Sequence, residues 1–326
     1  MDTGSHLICA YQLDGRGGAR RLGWDEARRA AGAPGAPVWL HLQRDEPATR
    51  QWLETESGLD EILCDALLSD ESRPRCEAMG DGLLVSLRGV NLNPGADPED
   101  MVALVLWADA NRVISVRRRR IMAVDAMRES LEHGRGPRTT GSFVAQVADG
   151  LVERMGPVID ELEDTVDGME EAIVSGESQG VRLAIAELRR TAIGLRRYIA
   201  PQREAMSRLL THQQFGWLSA GDVRLLREVG DRILRYVEDL DAARERAQVA
   251  QDELTSRLSE QLNRNMYVLS VIAAIFLPLG LLTGYLGINV GGIPGAEWRY
   301  AFAAVGGGLI AVAALQLWLF RRLKWV

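Results

Sequence analysis

The sequence predicts an α+β membrane protein, in which an N-terminal α/β cytoplasmic domain is followed by a long stalk helix and two C-terminal transmembrane helices. Three observations support this prediction. Charged residues make up 25% of the chain but nearly vanish after Arg264. Two uncharged runs of 21 residues follow, Met266–Leu286 and Tyr300–Phe320. No proline stands between Pro201 and Pro278, so one helix can continue into the first apolar run.

Composition narrows the class of protein. The formal net charge is −7, which does not favour nucleic acid as a partner. The N-terminus lacks a basic stretch followed by an apolar core, so we expect no signal peptide. Three widely spaced cysteines, Cys9, Cys64 and Cys76, are an odd number and predict a reduced, cytoplasmic domain without a disulfide framework. Without a Walker loop, dinucleotide fingerprint or nucleophile elbow, we expect neither an enzyme nor a cofactor.

The first 140 residues predict an α/β domain, because short runs rich in Val, Leu and Ile alternate with helical patterns. The basic run Arg117–Arg120 is interpreted as a solvated group of side chains at the end of a strand. The predicted strands are Leu7–Leu13, Val38–Leu42, Leu83–Asn91, Val102–Ala108 and Arg112–Val116, and the predicted helices are Ala48–Ser57 and Asp60–Leu68.

From Gly141 onward apolar residues recur at steps of three and four, which predicts helices. A helix over Gln179–Thr211 is expected to be interrupted near Pro201. The tetrapeptide Ser219–Asp222 then predicts a capping box. The helix that it starts is expected to run over Ala220–Leu286, roughly 100 Å at 1.5 Å per residue.

The two apolar runs are each long enough to cross a hydrocarbon core about 30 Å thick. The alternative, a pair of buried core helices, is disfavoured because the runs are adjacent and terminal. Basic residues precede the first run and follow the second. The loop between the two runs has one basic residue, Arg299, whose charge is balanced by Glu297. The positive-inside rule therefore predicts that both termini are cytoplasmic. The expected interfacial aromatics are Trp298, Tyr300, Trp318 and Trp325.

These features predict six segments. They are a cytoplasmic α/β domain (1–140), a helical region with the stalk helix (141–265), the first transmembrane helix (266–286), an outer loop (287–299), the second transmembrane helix (300–320) and a basic cytoplasmic tail (321–326). Two helices cannot enclose a water-filled path, so an ion-conducting form must be an oligomer.

The loop after the first span begins Gly287-Ile288-Asn289 and continues to Gly295 as Val-Gly-Gly-Ile-Pro-Gly. This stretch resembles the signature loop of the CorA superfamily, whose usual form is Gly-Met-Asn, and isoleucine in place of methionine looks most like the ZntB branch. The segments Leu188–Leu210 and Arg73–Asn91 also resemble that family. The resemblance covers nearly the whole chain.

The resemblance implies a funnel-shaped homopentamer in the bacterial inner membrane, with the first span lining the pore and the Gly-x-Asn loops capturing hydrated divalent cations. It implies zinc transport, coupled to protons, because ZntB-like members are associated with zinc. Two alternatives stay open. One is a CorA-type magnesium or cobalt channel, and the other is a membrane-anchored oligomeric scaffold or sensor without flux.

The resemblance also assigns roles to individual residues. The cation-selectivity loop is Gly287, Ile288, Asn289 and Glu297, with Asn289 as the outer ring that holds the hydrated cation. Asn289 as a helix cap and Glu297 as a loop charge paired with Arg299 remain alternatives. The candidate pore stripe is Asn263, Met266, Ser270, Ala273, Leu277, Gly280 and Gly284, with Leu281 as an adjacent contender.

Two weaker signals concern metals in the cytoplasmic region. Eight acids and no base lie between Arg154 and Arg182, which fits either a cation-concentrating or regulatory site or a solvated helix face. The four histidines lack the spacing of a zinc site, so bound zinc there would need tertiary grouping.

Overall fold

The computed structural model describes residues 6–33, 35–70, 73–176, 180–211, 215–287, 295 and 298–322. The chain forms two compact units, residues 1–251 and residues 252–326. The first contains a sheet and most of the helices. The second contains the end of the longest helix and the C-terminal helix.

The described part of the first unit is built on a seven-stranded mixed sheet with the order β2-β1-β3-β7-β6-β5-β4. β3 and β7 are parallel, and the other neighbouring strands are antiparallel. The strands are β1 (Leu7–Leu13), β2 (Ala19–Arg21), β3 (Val38–Gln43), β4 (Arg75–Met79), β5 (Gly82–Gly89), β6 (Val102–Ala108) and β7 (Arg112–Arg117).

The described helices are α1 (Trp24–Ala31), α2 (Pro47–Thr55), α3 (Glu61–Leu68), α4 (Met122–Glu132), α5 (Thr140–Glu153), α6 (Gly156–Ser175), α7 (Val181–Thr211), α8 (Ala220–Leu286) and α9 (Ala301–Arg322). Of the described helices, α1, α3, α5 and α7 pack on strands of the sheet. All five predicted strands and both predicted short helices are confirmed to within a few residues. The predictions missed β2, β4, α1 and α4, which are short or carry many charged or small residues.

Alternating residues of the sheet form two apolar layers. On one face, Leu40 and Ile114 belong to a buried cluster with Trp52 of α2 and Leu63 of α3. On the other face, the Trp39 ring lies 4.8 Å from that of Phe143, counted between ring centroids. The sheet is therefore covered on both sides, as expected for a mixed α/β layer.

The expected interruption of α7 near Pro201 is wrong, because α7 continues through that residue. Proline removes one backbone donor, but packing compensates here. α7 packs along β4 and β5. The next residue, Gln202, is fully buried and its Oε1 accepts a hydrogen bond of 2.7 Å from the backbone N–H of Arg88 in β5. Tertiary contacts thus override the local preference.

The start of α8 confirms the predicted capping box. Asp222 N–H donates to Ser219 Oγ at 3.2 Å, and Asp222 Oδ2 accepts from Ser219 N–H at 2.9 Å. Both bounds of the predicted helix, Ala220 and Leu286, are observed. α8 therefore begins in the first unit and ends in the second as one uninterrupted helix.

Candidate ion pathway

Two described helices are long and apolar enough to cross a membrane. The first is the C-terminal part of α8, with a mean hydropathy of 2.2 over its most apolar 18 residues, and the second is α9, at 1.9. Most of their large apolar side chains are exposed in the single chain, up to 94% for Phe302. Exposed apolar surface of this extent needs lipid or other protein around it.

One face of the α8 span is partly covered. It is identified by a contact with α9, in which Gln316 Nε2 lies 3.3 Å from the backbone oxygen of Ala274. The half-buried positions repeat at steps of one and three, as one helix face does. They are Val271, Ala274, Ile275, Pro278 and Leu279.

The predicted pore stripe lies on another side of the same helix. At 100° per residue, its mean direction is about 140° from the face that α9 covers. Every member of the stripe is exposed, including Met266 at 66% and Leu277 at 78%, and the adjacent Leu281 is also exposed, at 74%. The stripe and the α9 contact therefore do not compete for the same surface.

The chemistry of the stripe suits a weakly binding path. Asn263 and Ser270 are its polar members, and Gly280 and Gly284 present bare backbone with open space beside them. The segment 266–286 contains no carboxylate, thiol or imidazole. A dehydrated transition metal would find no strong protein ligand along it, whereas a hydrated ion would meet neutral dipoles and apolar constrictions.

The end of the span is described as far as Gly287. Its N–H donates to the Thr283 oxygen at 2.9 Å, the last helical bond in the part of this span that the structure describes. A Cβ at residue 287 would lie 2.9 Å from that same oxygen, so the close approach favours glycine. Of the other predicted loop residues, Ile288, Asn289 and Glu297 lie outside the described residues.

Aromatic side chains accompany cations at both ends of α9. Before the helix, the Arg299 guanidinium lies 5.7 Å from the Tyr300 ring centroid. At its end, the Arg322 guanidinium lies 5.3 Å from the Trp318 ring centroid. Amphipathic rings next to cations are typical of the two membrane–water interfaces.

The acidic stretch of α6 is partly used in ion pairs. Arg246 of α8 binds both Asp167 and Glu170 at 2.6 Å. Burial, followed by repulsion from Asp239, Asp160 and other acids, raises the pKa of Glu163. Within the described residues, no three His, Cys, Asp or Glu side chains form a group that could hold a metal ion. These contacts favour a structural role for the acids.

The basic run after β7 is also paired with acids. Arg118 Nε lies 2.7 Å from Asp45 Oδ2, and Arg120 Nε lies 2.6 Å from Asp125 Oδ2. Arg119 pairs with Asp100. The run is therefore a salt-bridged patch at the carboxyl end of the central strand β7.

Sequence reasoning missed one residue of this site, Gln316. The available signal was its amide, because every other residue of the segment 301–320 is apolar or small. A side-chain amide in a membrane helix is expected to bind another polar group. The sequence could not identify its partner, because that depends on how two helices pack.

Comparisons with known proteins agree with this architecture. The family model for CorA-like Mg2+ transporter proteins matches residues 35–322. The chain is 43% identical to the divalent cation transporter CmaX of Pseudomonas aeruginosa, over 98% of this chain and 97% of the relative. It is 34% identical to the zinc transport protein ZntB of Pectobacterium carotovorum, over 99% of this chain and 97% of the relative.

A solved structure has the same fold. The full-length CmaX protein superimposes with a TM-score of 0.85 at 42% sequence identity, covering 98% of each chain. The match thus includes both the sheet-containing unit and the two apolar helices. The chain belongs to the family of CorA-like Mg2+ transporter proteins and is a divalent-cation transporter of the CorA/ZntB type.

Proposed function

We propose that this protein moves zinc across the bacterial inner membrane through a path lined by α8 at the axis of a homopentamer. The observation that carries the proposal is the α8 stripe, which is exposed along its whole length and turned away from α9. One chain offers a single such stripe, so several copies must meet to enclose a path. Five helices about 10 Å apart leave a lumen of a few ångströms.

The proposed orientation places both termini in the cytoplasm and the loop after α8 outside. It is supported by Arg321 and Arg322 at the end of α9 and by the scarcity of charge between the two spans. The cytoplasmic side then carries the large sheet-containing unit, whose cysteines Cys9, Cys64 and Cys76 are all free thiols. Free thiols suit a reducing compartment.

At the outer end, we place a ring of Asn289 side chains as the site that first holds the cation. Amide oxygens are neutral dipoles, which suit an ion that keeps part of its water. Glu297 in the same loop raises the local cation concentration. Zinc is favoured over magnesium by the ZntB relatives and by Ile288 in place of the usual methionine, although the CmaX relative is named only for divalent cations.

Two asparagines at different positions on α8 test whether the stripe lines the ion path. Asn263 lies on the stripe, whereas Asn265 lies about 200° further round the helix. Asn263→Ala and Asn289→Ala should each lower zinc flux into proteoliposomes by about tenfold, equal to about 1.4 kcal/mol of barrier. Asn265→Ala should leave the flux unchanged. Equal effects of Asn263→Ala and Asn265→Ala would contradict the assignment of the stripe.

A further inference from the structure

The middle of the α8 span contains a carbonyl that has lost its helical partner. In an α-helix the N–H of residue 278 would donate to the oxygen of residue 274. Residue 278 is proline, which has no N–H, and it lies inside the helix. The backbone oxygen of Ala274 therefore lacks its i+4 donor. An unsatisfied backbone group in hydrocarbon is costly, so a replacement donor at this point is valuable.

Gln316 of α9 supplies a donor to this carbonyl. Its Nε2 lies 3.3 Å from the Ala274 oxygen. The amide nitrogen must be the atom that faces the carbonyl, because the amide oxygen cannot donate. The other end of the side chain, Oε1, is buried and accepts no hydrogen bond from the described residues. The described contact of this amide is therefore made through its nitrogen, to Ala274.

We infer that Gln316 is a positioning residue, which ties α9 to the pore helix at the carbonyl that Pro278 leaves free. The inference rests on the proposed function of the stripe, because two stripe residues, Ala273 and Leu277, are next to Ala274 and Pro278 in the chain. The tether contacts the covered face of α8. It fixes the position of Leu277, an apolar residue of the stripe, without itself contacting the ion.

The alternative is that Gln316 packs beside α8 without a specific link to the proline. A double-mutant cycle separates the two interpretations, since Pro278→Ala restores the backbone N–H and makes the tether redundant. Gln316→Leu removes the donor at similar volume. All four forms are made as full-length protein, in detergent micelles for Tm and in proteoliposomes for zinc flux.

We expect Gln316→Leu to lower Tm by about 2 °C more in the parent than in the Pro278→Ala background. It should also change zinc flux by about threefold in the parent, the factor that corresponds to an average interhelical hydrogen bond. In the Pro278→Ala background the same substitution should not change flux further. Equal effects of Gln316→Leu in both backgrounds would overturn the inference.

Two controls complete the experiment. Leu315→Ala changes the neighbouring residue of α9, whose side chain is 61% exposed, and should show no coupling to Pro278→Ala. Pro278→Gly also restores the backbone N–H of residue 278. It is used in place of Pro278→Ala if the alanine variant does not fold. The double-mutant cycle measured by Tm does not depend on transport. If the two substitutions are coupled in Tm but the parent shows no zinc flux, the result counts against the proposed function and still supports the tether.

Discussion

At the scale of single residues, the hydroxyl of Ser115 in the sheet-containing unit has three hydrogen-bonding contacts. Trp39 Nε1 donates to its Oγ at 2.8 Å, and His41 Nδ1 lies 2.8 Å from the same atom. The Oγ is also 3.2 Å from the Leu40 oxygen. All contacts are satisfied when Oγ accepts from both rings and donates to Leu40, which assigns the proton of His41 to Nδ1.

Ser115→Ala should therefore destabilise the protein. It leaves the buried N–H groups of Trp39 and His41 without an acceptor, at a cost of about 2–4 kcal/mol. Ser86→Ala is the matched control, because Ser86 is 2% exposed and its Oγ has no hydrogen-bond partner among the described residues. That control should leave stability unchanged or raise it, because it removes a buried hydroxyl that has no partner among the described residues. Thermal unfolding of both variants compares them, and equal losses would refute the network.

His41 also makes stability depend on pH. Burial, then the nearby Arg117 and Arg128 charges, lowers the pKa of His41 from 6.5 to about 3. Between these values the unfolded chain binds a proton that the folded chain does not, so stability is lost as pH falls below 6.5. From pH 7 to pH 5 the loss should be about 2 kcal/mol.

His41→Gln tests this dependence. Glutamine keeps an N–H donor for Ser115 but does not titrate, so the variant should lose less stability than the parent over the same pH range. Other groups contribute equally to both proteins, and the difference between the two unfolding curves isolates His41. Parallel curves would show that His41 is not the source.

The sequence predicted the strands that contain Trp39, His41 and Ser115, but not the contacts among their side chains. His41 and Ser115 are 74 positions apart and meet because β3 and β7 pair in parallel with these residues in register. The sequence pattern of a strand shows which residues point to each face of the sheet. It does not show which other strand pairs with that strand. Buried polar networks of this kind therefore require the structure.

At the scale of elements, the long helix was the most predictable feature. Its start has a capping box and its course has a sustained apolar periodicity, so both ends of α8 agree with the sequence. The continuity of α7 through Pro201 was not predictable, because contacts with β4 and β5 decide it. Short strands such as β2, with three residues, carry too few residues for a periodic signal.

The junction between α5 and α8 yields a prediction about glycine. A Cβ on Gly141 would lie 2.5 Å from the Trp217 oxygen and 2.9 Å from Oδ2 of Asp222, the residue that caps α8. Gly141→Ala should therefore displace the cap and cost about 1–3 kcal/mol. Thermal unfolding measures the loss.

Gly168→Ala is its control. Gly168 lies inside α6 with no atom within 4 Å of an added Cβ, so alanine should raise stability by up to about 1 kcal/mol. Opposite signs for the two substitutions are the expected result. A stabilising Gly141→Ala would show that the α8 cap tolerates a side chain at this position.

At the scale of the whole molecule, membership of the CorA-like family and the order of domain and spans followed from the sequence and are confirmed. The ion pathway was predictable only in part. The exposure of the stripe agrees with a pore-lining role, but the link from Gln316 to Ala274 depends on helix packing and had no sequence signal beyond an isolated amide. The roles of the stripe residues, of Asn289 and of Glu297 stay predictions.

The most direct test of zinc transport is uptake of zinc by proteoliposomes that contain the purified full-length protein, with a pH gradient and excess magnesium. We predict zinc uptake that persists in magnesium and responds to the gradient. Uptake abolished by magnesium would indicate a magnesium-type channel instead. No uptake of any divalent cation by folded, oligomeric protein would contradict a transport function and favour a membrane-anchored scaffold.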